Sequence, residues 1–259
     1  MSAHPFDLSG KVALITGANS GLGLGFAEAI ARAGGDVVIW GRREERNQQA
    51  AAALAAHGGR VLSDSIDVAD EAAQLRGFQR AIAEMGRLDC VIANAGFAGV
   101  APIVDMKTEE YVALNSVAQH GAFITLREGA RHMVARAQAG DPGGSLIATG
   151  SLTNFQATPG TGHYAAAKGA VAGLIRTLAV ELGCHGVRAN MVCAGMFATD
   201  MMAPVVDVME QRMQQTNPIP RMGQPEDLGG IVVYLMSDAS SYHTGDMITV
   251  DGGTRANGA

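Results

Sequence analysis

The chain has 259 residues, of which 47% are hydrophobic and 17% charged, with 34 glycines and a formal net charge of -6. That length and apolar content suffice for one sizeable core, and α/β folds of this size are commonly one domain. The acidic balance, with no basic run longer than Arg42-Arg43, argues against nucleic acid as a partner. No segment approaches the roughly 20 consecutive apolar residues of a membrane span. The opening MSAHPFDLSG lacks the basic and apolar regions of a secretory signal, so a cytoplasmic protein is expected.

In chain order, short apolar runs predict strands at Val12 to Thr16, Val37 to Trp40, Arg60 to Ser63, Cys90 to Ala93, Ser145 to Thr149, Arg188 to Cys193 and Met247 to Val250. Helical patterns fill the intervals at about 21–33, 43–57, 70–85, 108–137, 162–183 and 225–237. Strands that are apolar on both faces and alternate with helices predict a doubly wound parallel sheet of about seven strands, covered on both sides: a single Rossmann domain over 1–259. One long Met-rich, Pro-containing stretch, 194–223, breaks the alternation and reads as a mobile lid. Cys90, Cys184 and Cys193 lack paired spacing and read as reduced thiols; the histidines have no metal-ligand spacing, so no metal is expected.

Directly after the first predicted strand comes Thr16-Gly17-Ala18-Asn19-Ser20-Gly21-Leu22-Gly23, and then a helical run. Glycines let the backbone turn tightly and approach a pyrophosphate, whose charge is attracted by the free amides and positive end of the following helix. This TGxxxGxG turn is followed by Asp67-Val68, Asn94-Ala95-Gly96, Asn115, Ser151, Tyr164-xxx-Lys168, Gly195-xxx-Thr199 and Asp251-Gly252-Gly253. In that joint order the chain resembles the short-chain dehydrogenase/reductase family over nearly its whole length. The resemblance implies that Asp67 bonds the adenine, that Asn94 and Gly96 line the adenosine side, and that Thr199 holds the nicotinamide carboxamide. Two departures stand out. Ala93 replaces the first Asn of the family's Asn-Asn-Ala-Gly, so Asn94 is expected to carry less weight in holding neighbouring strands. Ala194 replaces the proline before Gly195, which is expected to loosen the hinge of the lid.

An acidic residue after the second strand would bond the ribose hydroxyl of NAD, whereas arginine accommodates the phosphate of NADP. Here the sequence reads Trp40-Gly41-Arg42-Arg43, so Arg42 predicts NADP, with NAD the alternative. The other reading of both arginines is as solvated charges pairing with Glu44 or Glu45.

Tyr164 and Lys168 are four positions apart in a predicted helix, so they share one face. A neighbouring ammonium favours an ionised phenol and brings it toward use as a general acid or base at neutral pH. By resemblance, Ser151 bonds the substrate oxygen, Tyr164 exchanges the proton, Lys168 tunes Tyr164 and bonds the nicotinamide ribose, and Asn115 holds a water in a proton relay. The expected activity is hydride transfer between NAD(P) and a small-molecule alcohol or ketone; the alternative is a catalytically silent NAD(P)-sensing protein. Leu152, Thr153, Asn154, Phe155, Phe97, Met196, Phe197, Met201 and Met202 are expected to bound the substrate pocket. The resemblance also implies a homotetramer or homodimer, built partly from the helices at 108–137 and 162–183.

Overall fold

The computed structural model describes residues 4–257, except the side chains of Met201 and Pro204. Strands β1 (Val12–Thr16), β2 (Asp36–Gly41), β3 (Val61–Ser65), β4 (Cys90–Ala93), β5 (Gly144–Ser151), β6 (Val187–Ala194) and β7 (Met247–Val250) form one parallel sheet in the order β3-β2-β1-β4-β5-β6-β7. The strand order reverses between β1 and β4, and in open parallel sheets the crevice outside the strand ends at this reversal receives ligands.

The five central strands bury both faces, while the edge strands β3 and β7 are only partly covered. Leu14, Val38, Trp40 and Leu146 pack under helices α3 (Glu71–Met85), α5 (Ala122–Gln138) and α6 (Gly162–Leu182). Ile15, Ile39, Ile92 and Val192 pack under α1 (Gly21–Arg32), α2 (Glu44–Ala55) and α8 (Gly229–Met236). This is why the strands read as unbroken apolar runs rather than as alternating ones. The predicted strands are all present, three of them with the predicted bounds.

Three predicted segments differ, the run at 225–237 opening as a 3₁₀ turn (Pro225–Leu228) before α8. The helical run at 108–137 is divided into α4 (Thr108–Asn115), a π turn (Ser116–Gly121) and α5. Asn115 Nδ2 donates to the carbonyl of Tyr111 at 2.8 Å and Ser116 Oγ to that of Val112 at 2.8 Å, so side chains compete for the i−4 carbonyls where the helix widens. The stretch at 194–223 is not plain loop. It holds a 3₁₀ segment (Asp200–Val205) and α7 (Val206–Thr216), whose residues are good helix formers but bury only Met213. Ala194 completes β6 opposite Val250, so the hinge expected to be loose there is held in the sheet ladder.

Candidate active site and cofactor cleft

The glycine turn joins β1 to α1. Gly17 has φ +65°, and a Cβ on Gly23 would stand 2.3 Å from the carbonyl oxygen of Gly17. These positions therefore need a residue without a side chain. Ser20 precedes α1 in an extended conformation without capping the helix, and the first turn holds no acidic residue, so its amides and positive end face the crevice. A turn that a Cβ would fill, closed by an uncapped helix start, fits a dinucleotide pyrophosphate. Gly17, Asn19, Ser20, Gly21, Leu22 and Gly23 all lie in it. Thr199 reaches it from the lid, since a Cβ on Gly21 would lie 3.5 Å from the Thr199 side chain. Gly195 is pressed against Asp251, where a Cβ would fall 2.7 Å from that residue's own Cβ.

Asn94 carries more of the site than its sequence context suggested. Its Nδ2 donates to the carbonyls of Thr16 (3.0 Å) and Gly17 (3.2 Å), its backbone N–H and that of Ala95 donate to Thr16 Oγ1 (3.0 Å each), and its Oδ1 accepts from Thr149 Oγ1 at 3.0 Å. One side chain thus ties together the ends of β1, β4 and β5, which corrects the expectation of a diminished role. Gly96 and Phe97 follow, exposed. Asp67 is an exposed turn residue whose Oδ1 accepts from Ala69 N–H at 2.9 Å. Val68 is buried, and its carbonyl accepts from Gln74 Nε2 at 2.6 Å.

At the end of β2, Arg42 is exposed, and among the described residues its guanidinium has neither an ion pair nor a hydrogen bond. Neither arginine pairs with Glu44 or Glu45. Arg43 Nη2 instead donates back to Ser20 Oγ at 3.5 Å, and Arg46 forms an ion pair with Asp200 in the lid. Sequence reasoning offered Arg43 only as a solvated charge and passed over Arg46 and Asn47. Fully buried, Asn47 accepts from Asn19 Nδ2 at 2.8 Å and donates to the carbonyls of Gly41 and Asp64.

Tyr164 and Lys168 share one face of α6, with the Lys168 ammonium 5.5 Å from the Tyr164 ring centroid. Lys168 is buried, and its Nζ donates to the carbonyl of Thr149 at 2.6 Å, which joins α6 to the strand that ends in Ser151. Ser151 Oγ accepts from Thr153 N–H at 3.2 Å. Asn115 is buried at the start of the π turn, where Leu114 and Ala118 pack on Ala167 beside Tyr164. Buried polar atoms are almost always hydrogen-bonded. Among the described residues, five buried side-chain polar atoms lack a protein partner, and three of them, Asn115 Oδ1, Thr153 Oγ1 and His163 Nδ1, belong to residues around this site. The His163 ring is packed against Gly99.

Of the expected pocket residues, Phe97 and Met196 are exposed near the cleft, while Leu152, Phe155 and Phe197 turn inward. Phe155 joins the core under β6 and is covered by Arg255, whose guanidinium lies 3.7 Å from its ring centroid. The Met201 side chain lies outside the described residues. Burial pushes the thiol of Cys193 up to about 11 and that of Cys90 up to about 12, so both keep their protons at neutral pH.

Residues 17–255 match a family model described as enoyl-(acyl carrier protein) reductase, a branch of the family that the motifs resemble. The chain is a short-chain dehydrogenase/reductase. It is 35% identical to the gluconate 5-dehydrogenase of Gluconobacter oxydans, over 97% of this chain and 98% of that one. A short-chain dehydrogenase/reductase from Mycobacterium marinum superposes with a TM-score of 0.90 at 36% identity, covering 96% of this chain and 97% of that one. A gluconate 5-dehydrogenase from Burkholderia cenocepacia, solved with NADP and tartrate, superposes at 0.91 with 32% identity, covering 97% and 98%. As a short-chain dehydrogenase/reductase the protein is an NAD(P)-dependent oxidoreductase that acts on CH–OH and C=O groups of small molecules; the silent sensor gives way to an enzyme. Among the described residues, no helix is long and apolar enough to cross a membrane.

Proposed function

We propose that Ser151, Tyr164, Lys168 and Asn115 carry the reaction, with NADP held between the glycine turn, Arg42, Asp67, Val68, Asn94, Ala95, Gly96 and the lid residues Gly195 and Thr199. The bound nicotinamide supplies or receives the hydride. The single observation behind this reading is the Lys168 ammonium, 5.5 Å from the Tyr164 ring and anchored by its own N–H to the strand that ends in Ser151. Ser151 Oγ already accepts from Thr153 N–H, which leaves its proton to be donated to the substrate oxygen. Tyr164 gives that oxygen a proton in reduction and takes one in oxidation. One ammonium proton of Lys168 is engaged by Thr149, and the others are free for the nicotinamide ribose. The buried Asn115 Oδ1, without a protein partner, is an acceptor for a water through which Lys168 exchanges protons with solvent.

The unpaired Arg42 fork, with Arg43 bent over Ser20, favours a cofactor carrying a ribose phosphate. The substrate is a small alcohol or ketone, and gluconate and related sugar acids head the screen because relatives carry those names. The domain runs over 1–259, with 194–223 as its lid. The exposed free thiol of Cys184 suits a reducing, cytoplasmic setting.

A second copy of the chain is proposed to cover the face of α5 and α6, giving a homodimer or homotetramer. Phe123 and Val180 stand exposed there, and a Cβ on Gly169 or Gly173 would meet nothing.

The deciding experiment is Tyr164→Phe, assayed by cofactor absorbance against a panel of alcohols and ketones. Turnover is lost while NADPH binding, read by its fluorescence, persists. A Tyr164→Phe enzyme that still turns over overturns the assignment.

A further inference from the structure

The residue that joins the two halves of this site is one that its motifs do not include. Asn154 ends the 3₁₀ turn (Leu152–Asn154) that follows β5, three positions after Ser151. Its Oδ1 accepts from the backbone N–H of Ser151 at 2.9 Å, and its Nδ2 donates to the backbone carbonyl of Lys168 at 2.8 Å. The two partners have fixed and opposite polarity, so the amide has one orientation that satisfies both. Cys193 Sγ lies 3.8 Å from the same Oδ1, and its buried, protonated thiol is a further donor.

The consequences are geometric. Ser151 sits at the end of a strand, whereas Tyr164 and Lys168 sit on a helix that packs across it, and Lys168 Nζ bonds Thr149 on that strand. Lys168 is therefore tethered to the β5 end twice, by its ammonium directly and by its carbonyl through Asn154. The same carboxamide closes a capping box with Ser151. In that box Ser151 Oγ accepts from Thr153 N–H while Asn154 accepts from Ser151 N–H. The box fixes the direction of the hydroxyl: its acceptor side is turned to the backbone, and its proton is left for a ligand. Neither aspartate, which cannot donate to a carbonyl, nor serine, which cannot span both groups, reproduces the bridge.

We propose that Asn154 is a positioning residue of the reaction, setting the separation and orientation of Ser151 relative to Tyr164 and Lys168 without touching substrate or cofactor. This rests on the reading of the site given above. The network extends to the cofactor turn, because Thr149 Oγ1 bonds Asn94 and Asn94 bonds the Gly17 carbonyl. A shift at Asn154 is thus felt first by the reacting groups and last by the glycine turn.

The test compares the full-length wild type with Asn154→Leu, which keeps the branched heavy-atom skeleton and removes both bonds, and Asn154→Asp, which keeps only the acceptor for Ser151. The substrate is whichever alcohol or ketone turns over fastest in the panel. A displacement of about 1 Å lowers a rate by as much as about 100-fold. The expected result is a kcat lower by about 10- to 100-fold in Asn154→Leu and about tenfold in Asn154→Asp, with NADPH affinity within about twofold of wild type. In the ligand-free protein, amide exchange across residues 150–156 speeds up in Asn154→Leu. A kcat within twofold of wild type, a loss confined to KM, or unchanged exchange overturns the proposal even if the melting temperature falls. Should Asn154→Leu not fold, kcat of Asn154→Asp decides alone by the same criterion. Turnover by Tyr164→Phe, by contrast, sinks the underlying function and not the bridge.

Discussion

Gly23→Ala puts the cofactor turn to its most severe test. A Cβ at this position would lie 2.3 Å from the Gly17 carbonyl oxygen, 2.5 Å from Asn94 Nδ2 and 2.9 Å from the Gly17 carbonyl carbon. Ordinary carbon contacts are near 3.5 Å, so the overlap exceeds about 1 Å. Two of the three atoms are backbone, and no rotamer change relieves them. Overpacking a closed site costs about 1–3 kcal/mol, and this clash falls at the upper end. A stability change of about 3 kcal/mol lowers the melting temperature by about 6–12 °C in a chain of this size. Because the turn that must give way is the one that receives the pyrophosphate, NADPH affinity falls by about 100-fold. The matched control is Gly183→Ala, at the end of α6, where φ is −56° and a Cβ would meet nothing; it is neutral or stabilising by up to about 1 kcal/mol. Melting is followed by circular dichroism at one protein concentration for all variants. A Gly23→Ala protein that melts within 1 °C of wild type, as an estimate of the noise in such curves, and binds NADPH as tightly refutes the reasoning.

Arg42→Ser removes a charge-assisted contact to the ribose phosphate. Discounted for exposure it is worth about 1.4 kcal/mol, so the KM for NADPH rises about tenfold while that for NADH moves less than about twofold; equal effects on both cofactors count against the phosphate role. Val180→Arg, on the exposed face of α6, should yield a smaller species by light scattering, and an unchanged mass removes that face from the interface. Asp227 is held below the usual carboxylate range, first by its hydrogen bond from Arg221 and then by that from Gln224 N–H. A depressed pKa stabilises the fold above the unfolded value near 3.8 and loses that effect as pH falls through the folded value. Asp227→Asn should therefore melt below wild type at pH 7, with the two curves converging as the pH falls below 3.8; a gap that is independent of pH contradicts the linkage.

Much of the fold was legible because its signals are local. Runs such as Val12–Thr16 and Val37–Trp40, apolar on both faces, specify buried parallel strands, and the glycine turn specifies where β1 ends and α1 begins. The π turn after Asn115 was not legible. It arises from side chains that compete with backbone donors for carbonyls one turn back, a choice that periodicity does not register. Helix α7 was missed for a related reason. With only Met213 buried it lacks an apolar stripe, and its helix formers were outweighed by the prolines and glycines that flank it.

The order of motifs along the chain was enough to show the resemblance to the short-chain dehydrogenase/reductase family, and the reaction class came through that resemblance; each motif is local, a glycine turn, a strand-end serine and a Tyr-xxx-Lys pair lying along one strand or helix. Only the packed structure decided how those pieces meet: Asn94 joining three strand ends, Asn47 tying the turn to β2 and β3, Phe155 turning into the core, and Asn154 spanning from Ser151 to Lys168. Those contacts link residues distant in sequence through single amide side chains. A polar side chain reveals its partners only once burial leaves it no water to bond.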